Sequence, residues 1–375
     1  MEALHVYGVE FIRWLQQFKC LESFMINTSH LGSPLTAYAF IFPMAYYVNP
    51  LLGLLTILCT SFSEWLSGIL KWVLHGHRPY WWVGLHAERT KTDVLKLEQF
   101  PSTCETGPGS PSGHCMITLA GMVPLVLYLQ LCLPNFYREM MLSLFGCFIL
   151  ALGLSRCYLA AHFPHQVAAG ILSGVLLGYL FTHLSSVLHL ASVPHRGTTL
   201  TRTGLAWLEH WLKHPAALAW IGFGSLAVAW LFSWCLQALL GVDVNWSIAL
   251  AKVACQRPEW VHLSTSLMVG FARIAGYLSG LALALYLNPP SAQALLSSHI
   301  KATTLLWAVL AVVGTKLAES ICYQTIHMLL VPWFPGGSAT GPGVILLLSS
   351  VIQAGVGPII TVWLLPSTLR AVCAK

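Results

Sequence analysis

Charge is scarce in this chain. Asp, Glu, Lys and Arg make up 9% of its 375 residues, whereas a typical soluble domain carries about 25%. That excludes a water-soluble globule, a coiled coil and a charged disordered segment. Blocks of like charge are missing too. Nucleic acid binding needs a clustered basic face, but the +6 balance of 19 Lys+Arg over 13 Asp+Glu is scattered, so no nucleic acid partner is expected. No two of the 11 cysteines have CxxC spacing, which removes the usual zinc and redox motifs. Most lie in apolar runs, where Cys acts as a small hydrophobe. Cys104 and Cys255 fall in loops on one side; they are read as unpaired, with a disulfide between them as the lesser alternative. The N-terminus lacks a charged stretch followed by an apolar core, so no cleavable signal peptide is expected. No internal repeat supports a repeat-built transporter.

What is abundant is apolar surface, at 56% hydrophobic residues. An apolar run of about 20 residues crosses a bilayer as a helix. Such runs fall at 31–48, 51–75, 113–133, 140–161, 166–190, 217–240, 263–287, 302–328 and 343–365. The expected fold is therefore all-α: a polytopic membrane protein of about nine transmembrane helices in the lipid bilayer. Residues 1–375 read as one multi-pass domain, with 217–365 as additional transmembrane helices. Residues 1–30 are amphipathic and read as an interfacial segment. Basic residues occur on both faces, and the 191–214 loop tips its side toward the cytosol. The sequons at Asn27 and Asn245 then lie on the opposite face.

Against this background, polar residues at span ends carry information. An ionisable group there costs about 2.5–3.5 kcal/mol on insertion scales. Three clusters stand out: Lys71 with Arg78-Pro79, Pro111-Ser112-Gly113-His114, and Ser155-Arg156 with His162. They close the second span, open the third and close the fourth, so parity puts all three on one side. Lys71 and Arg78, seven apart, are expected on one helix face, gripping an anion as point charge and fork. Ser112-Gly113 opens a helix whose N–H groups and dipole favour an anion. Arg156 adds a third cation. His114 and His162 can supply a nucleophile and a general acid near neutral pH. The set describes a phosphate site with no metal and no cofactor.

These three motifs, in order, resemble the signature of the type 2 phosphatidic acid phosphatase superfamily, which includes the vanadium haloperoxidases. The longer strings Arg78-Pro79-Tyr80-Trp81-Trp82, Cys104-Glu105-Thr106-Gly107-Pro108-Gly109-Ser110-Pro111-Ser112-Gly113-His114 and Ala160-Ala161-His162-Phe163-Pro164-His165-Gln166 look like the glucose-6-phosphatase catalytic subunits. Phe42-Pro43-Met44-Ala45-Tyr46-Tyr47 looks most like their ubiquitous type 3 branch. The resemblance implies a helical phosphatase core within 71–166 and residence in the endoplasmic reticulum membrane, with the site facing the lumen. It implies glucose 6-phosphate or a related sugar phosphate as substrate and a glucose-6-phosphate transporter as partner. His162 would attack phosphorus, and His114 would protonate the leaving oxygen and then activate water. Lys71, Arg78, Ser112, Gly113 and Arg156 would hold the phosphate. The rival readings are a lipid phosphate phosphatase and a catalytically silent binder or transporter of phosphorylated metabolites.

Several residues remain. The wider superfamily has Asp four residues after the nucleophilic His, and Gln166 stands here, so the group that orients His162 is open, with Glu105 one candidate. Ser33 stands where the branch usually has Asp. Glu64 is expected to partner a buried cation, being two turns below Lys71. Lys316 and Glu319 are expected to form a buried ion pair. Trp81 and Trp82 are expected to anchor the membrane interface. His75, His77 and His165 read as hydrogen-bonded structural residues. Arg257 and Glu259 read as pocket-side groups, and Arg273 has no assigned partner.

Overall fold

The computed structural model describes residues 1–185, 214–290, 302–330 and 343–368. The basic loop at 191–213, Lys301, the Gly/Pro-rich break at 332–342 and the tail with Arg370 and Lys375 lie outside the described residues. The regular elements described are all helices, apart from one isolated bridge between Glu105 and His262. Helices α1 (Glu2–Leu15) and α2 (Glu22–Leu31) are the amphipathic segment expected at 1–30. Their apolar side meets protein: Val9 and Ile12 are fully buried, while Leu4, Tyr7 and Trp14 point outward.

The next expected span, 31–48, is shorter than a membrane crossing. Ser33 caps its start by accepting from the Leu35 N–H. Pro34–Thr36, a π-helical stretch Ala37–Ile41 and Phe42–Val48 then follow without a break and together form α3. At 1.5 Å per residue this run reaches only about 22 Å, against roughly 30 Å of hydrocarbon. Asn49 ends it in an extended conformation and starts α4 (Pro50–Leu74). Its Oδ1 accepts from the N–H groups of Leu51 and Leu52, and Pro50 takes the first helical position. Such a cap satisfies otherwise orphan donors.

Helix α4 stops at His75, which takes the left-handed conformation (φ 48°) and returns its N–H to the Lys71 carbonyl. Arg78 is extended because Pro79 follows it, and α5 (Pro79–Thr90) leaves in a new direction. Lys71 and Arg78 therefore do not share a helix face. The seven-residue spacing predicts one only if the helix continues, and the turn at 75–78 breaks it.

Helices α6 (Gly113–Cys132), α7 (Asn135–Tyr158) and α8 (Pro164–Leu184) complete the first half. The second half holds α9 (Ala216–Leu240), the short α10 (Trp246–Ala254), α11 (Leu267–Leu287), α12 (Ala302–Leu330) and α13 (Val344–Pro358), which runs on through Ile359–Leu364. Eight of the described helical segments are long and apolar enough to cross a membrane. Of the about nine expected runs, eight match such a segment among the described residues, and 34–48 falls short. Lys316 and Glu319 do pair, at 2.9 Å, but the lysine side chain is half exposed to the outside of the bundle rather than buried.

Close packing sets the geometry. Along α8, Gly170, Gly174 and Gly178 recur every four residues against α6. A Cβ on Gly174 would stand 2.4 Å from the Met116 carbonyl oxygen, so only glycine lets these backbones approach so closely. Membrane helices use such small-residue stripes because burial drives no association in lipid. The contact brings the start of α6 to the start of α8, where Ser112 N–H donates to the Gln166 carbonyl at 3.1 Å. Gly174→Val is expected to lower stability by about 1–3 kcal/mol or more by overpacking, read as an earlier melt in detergent with loss of activity.

Candidate active site

The ends of α4, α6, α7 and α8 and the 91–112 loop converge on one side. Arg78, at the start of α5, is fully buried and splayed among acceptors. Its Nε donates to the Gly107 carbonyl at 2.6 Å, Nη1 to Ala161 at 3.1 Å and Nη2 to Pro108 at 3.4 Å. Arg156, in the last turn of α7, is fully buried too, and its Nη1 donates to Ser29 Oγ at 2.6 Å. Glu105 lies between the two guanidinium groups. One of its oxygens is 2.9 Å from Arg78 Nη1, and the other pairs with Arg156 Nη2. The same carboxylate is 3.7 Å from His114 Nδ1 and 4.0 Å from His162 Nε2.

His162 sits in the turn between α7 and α8, wholly buried. Its Nδ1 is 2.7 Å from the Gly109 carbonyl, and its Nε2 is 3.3 Å from Arg78 Nη1. A carbonyl only accepts and a guanidinium only donates. These two partners place the proton on Nδ1 and leave the Nε2 lone pair facing Arg78 Nη1. The group that orients His162 is thus the Gly109 carbonyl rather than Glu105. Gln166, at the superfamily's Asp position, does other work: its Oε1 accepts from the Phe163 N–H and its Nε2 donates to the His77 carbonyl.

Lys71 reaches the same place from α4. A Cβ on Gly113 would lie 3.6 Å from its Nζ, and one on Gly107 3.8 Å, so the ammonium spans the two glycines. Two buried polar atoms of the set, Ser112 Oγ and Arg156 Nε, have no hydrogen-bond partner among the described residues. The sequence motifs therefore meet in space: Arg78, His114, Arg156 and His162 gather around the Glu105 carboxylate, and Lys71 approaches Gly113, next to Ser112 and His114. Sequence reasoning missed Ser29 and the Gly109 carbonyl. Ser29 carried a signal only as part of a sequon, and a backbone carbonyl carries none.

The surroundings correct other expectations. Trp81 and Trp82 are buried under the site, not at an interface; Trp81 Nε1 donates to His77 Nδ1, which is a structural bond as read. His75 stacks on Trp246, while His165 Nε2 is buried without a partner among the described residues. Arg257 stacks over Trp260, 4.9 Å from the ring centre, outside the cluster, and Glu259 is exposed. Cys104 and Cys255 are disulfide-bonded, with 5.8 Å between their Cα atoms, against the unpaired reading. The bridge fastens the Glu105 loop to the end of α10, and separately His262 N–H donates to the Cys104 carbonyl beside the Glu105–His262 bridge. Without a metal- or motif-type spacing, the separation of 151 positions hides the pairing from the sequence.

Electrostatics follow from this packing. Burial works to raise the Glu105 carboxyl, but the adjacent Arg156 and Arg78 charges outweigh it and hold it well below the usual carboxylate range. Burial first, then Arg78 and Arg156, push the His162 imidazole well below its ordinary 6.5, with Glu105 opposing. His162 is therefore neutral at physiological pH. Below 6.5 the unfolded chain takes up a proton that folded His162 refuses, so stability falls as pH drops from 6.5 toward the lowered value. Glu105 acts in the same direction only below about 4.5. Melting in detergent is expected to be earlier at pH 5.5 than at pH 7.5, and His162→Gln is expected to shrink that difference. Glu105→Gln removes the charge between two buried guanidinium groups. Loss of one member of such a network costs about 3–5 kcal/mol. Inorganic phosphate or vanadate is expected to raise the melting temperature of this variant more than that of the native chain, because the anion replaces the lost charge.

Comparisons with known proteins give the family. The PAP2 superfamily model matches residues 50–189. Glucose-6-phosphatase 3 of Bos taurus is 38% identical over 302 residues, covering 78% of this chain and 79% of the relative. Glucose-6-phosphatase 3 of Homo sapiens is 38% identical over 300 residues, with 78% and 79% covered. Glucose-6-phosphatase catalytic subunit 1 of Bos taurus is 34% identical over 296 residues, with 76% of each chain covered. No solved structure gives a significant match.

Proposed function

The chain belongs to the glucose-6-phosphatase family within the PAP2 superfamily and is a phosphoric monoester hydrolase; from that premise we propose that it hydrolyses a sugar phosphate, glucose 6-phosphate first, through a phosphohistidine. One observation carries the reading: His162 presents an unprotonated Nε2, fixed by Gly109 and Arg78, beside an anion position held by buried cations. In the first step His162 Nε2 forms a bond to phosphorus while the bond from phosphorus to the sugar oxygen breaks. His114 gives that oxygen a proton and the alcohol leaves. The imidazolium charge that builds on His162 is eased by its Nδ1–H bond to the Gly109 carbonyl. In the second step His114 takes a proton from water as the water oxygen attacks phosphorus. The N–P bond breaks, and inorganic phosphate and neutral His162 are restored.

Lys71, Arg78 and Arg156, with Ser112 Oγ and the Gly113 N–H, hold the three equatorial oxygens. Phosphoryl transfer asks mainly for positioning and charge stabilisation, and fixed cations in a dry site provide both. Ser112 Oγ and Arg156 Nε, unpaired among the described residues, are donors awaiting such an oxyanion. Glu105 is the placeholder: its carboxylate fills the anion position until the phosphate displaces it. The chain works as one unit, its later helices buttressing the core.

We place the site on the lumenal face of the endoplasmic reticulum membrane. The Cys104–Cys255 disulfide on that face supports this, since disulfides persist in oxidising compartments. A glucose-6-phosphate transporter is then the expected source of substrate. The cavity beside His114 is small and its lining includes serines, two carboxylates, an ammonium and a guanidinium, which favours a sugar ester over a lipid phosphate. A silent binder has no use for a histidine whose lone pair is held ready.

Purified protein in chelator is expected to release phosphate from glucose 6-phosphate. His162→Ala is expected to abolish release and acid-labile phosphoenzyme, and His114→Ala to slow turnover by about 10²–10⁴-fold. Activity that survives in His162→Ala overturns the phosphohistidine route, and a strict requirement for added metal overturns the metal-free site.

A further inference from the structure

The cavity beside His114 does not end at the histidines. It continues between α4 and α11 toward the middle of the bundle, with a volume of about 150 Å³. Lys71, Gly113, His114 and Glu105 stand at one end of its lining. At the other stand Glu64, Gly270 and Arg273, with Ser266 on the wall. Glu64 is two turns deeper on α4 than Lys71, roughly 10 Å along the helix axis.

Glu64 does not pair with Lys71. Its Oε1 accepts from Arg273 Nη2 at 2.8 Å and its Oε2 from the Tyr38 hydroxyl at 2.9 Å. Tyr38 is held in turn by stacking on Tyr277, with 3.7 Å between ring centres, and Arg273 Nη1 donates to the Ser264 carbonyl at 2.8 Å. The pair is thus rigid. Two of the lining residues keep polar atoms that are buried and have no partner among the described residues, Arg273 Nε and Ser266 Oγ. An unmet buried donor costs about 1–3 kcal/mol, and ionisable groups at membrane depth add to that. Neither Glu64 nor Arg273 touches the reacting groups, so hydrolysis of the ester bond leaves this arrangement unexplained.

We propose that Glu64, Arg273 and Ser266 form the leaving-group subsite and recognise the hydroxyls of a polyhydroxylated alcohol. This rests on the phosphatase reading above. A carboxylate offers about four lone-pair sites, and only one hydrogen bond reaches each Glu64 oxygen, so it can accept from neighbouring hydroxyls. Arg273 Nε–H and Ser266 Oγ supply donors for their oxygens. The roughly 10 Å from Lys71 suits a phosphate at one end of a single sugar ring and hydroxyls at the other. A small cavity with charged and hydroxyl groups in its lining suits a single sugar ring better than a diacylglycerol. Gly270 keeps the subsite open, because a Cβ there would stand 3.3 Å from Glu64 Oε1. Glu64, Arg273 and Ser266 are specificity residues in this scheme, and a site built to hydrogen-bond a hydroxyl rejects an analogue that lacks it.

The test compares glucose 6-phosphate with butyl phosphate, which has the same phosphate but no hydroxyls, on full-length protein in detergent. In the native chain kcat/KM is expected to be at least 100-fold higher for the sugar ester. Similar values for both esters overturn the subsite while leaving the phosphatase reading intact. Hydrolysis of neither ester overturns that reading as well. In Glu64→Gln the preference is expected to shrink at least tenfold. Equal losses on both esters in that variant show a purely structural pair and also overturn the proposal. Should the variant fail to fold, deoxy analogues of glucose 6-phosphate on the native chain decide: at least one single-hydroxyl deletion is expected to lower kcat/KM tenfold or more, and a flat series overturns the subsite.

Discussion

Two guanidinium groups buried side by side are tolerable in this protein only because a carboxylate lies between them. Arg78 and Arg156 are fully buried, and each would repel the other across a medium that screens poorly. Glu105 bridges them. Several contacts hold the backbone on either side of that residue. The disulfide anchors the residue before it, Tyr80 donates to its carbonyl, and Thr106 beside it bonds to Thr265 and His262. Positive charge that is compensated in this way is tolerated in the buried core.

The same economy of charge governs the membrane setting. Ionisable groups at depth are expensive, and the described core keeps them in partnerships rather than as isolated ions. Glu64 joins Arg273, and Glu105 joins the arginines. Lys71 is the exception: no hydrogen bond or ion pair ties it to a described residue, and it faces the cavity. The cavity that Lys71 faces is also lined by the paired charges Glu64, Glu105 and Arg273. Tight glycine contacts between α6 and α8 convert this chemistry into geometry, because they bring Ser112 and Gly113 within reach of the turn that carries His162.

Much of the site was legible as a list of residues. The three clusters at span ends stood out because an apolar chain makes every ionisable residue conspicuous, and parity sent them to one side. Their mutual arrangement was less legible. The spacing of Lys71 and Arg78 suggested one helix, but Pro79 forces Arg78 out of it, and the two cations approach from different elements. The first expected span was apolar enough but too short, since Asn49-Pro50 restarts the helix. Trp81 and Trp82 looked like interface anchors because aromatic residues gather there, yet they fill the space under the site.

The sequence by itself determined the class: a helical membrane protein with three cations, a helix start and two histidines on one face. Composition and local spacing carry that information directly, because membrane helices need long apolar runs and anion sites need particular side chains. Tertiary structure alone decided which group orients His162, since the Gly109 carbonyl belongs to the backbone and leaves no mark in the residue pattern. It also decided that Cys104 meets Cys255 and that Glu64 meets Arg273 rather than Lys71. Those partners are separated by more than a hundred residues, and they meet only because of how the helices pack.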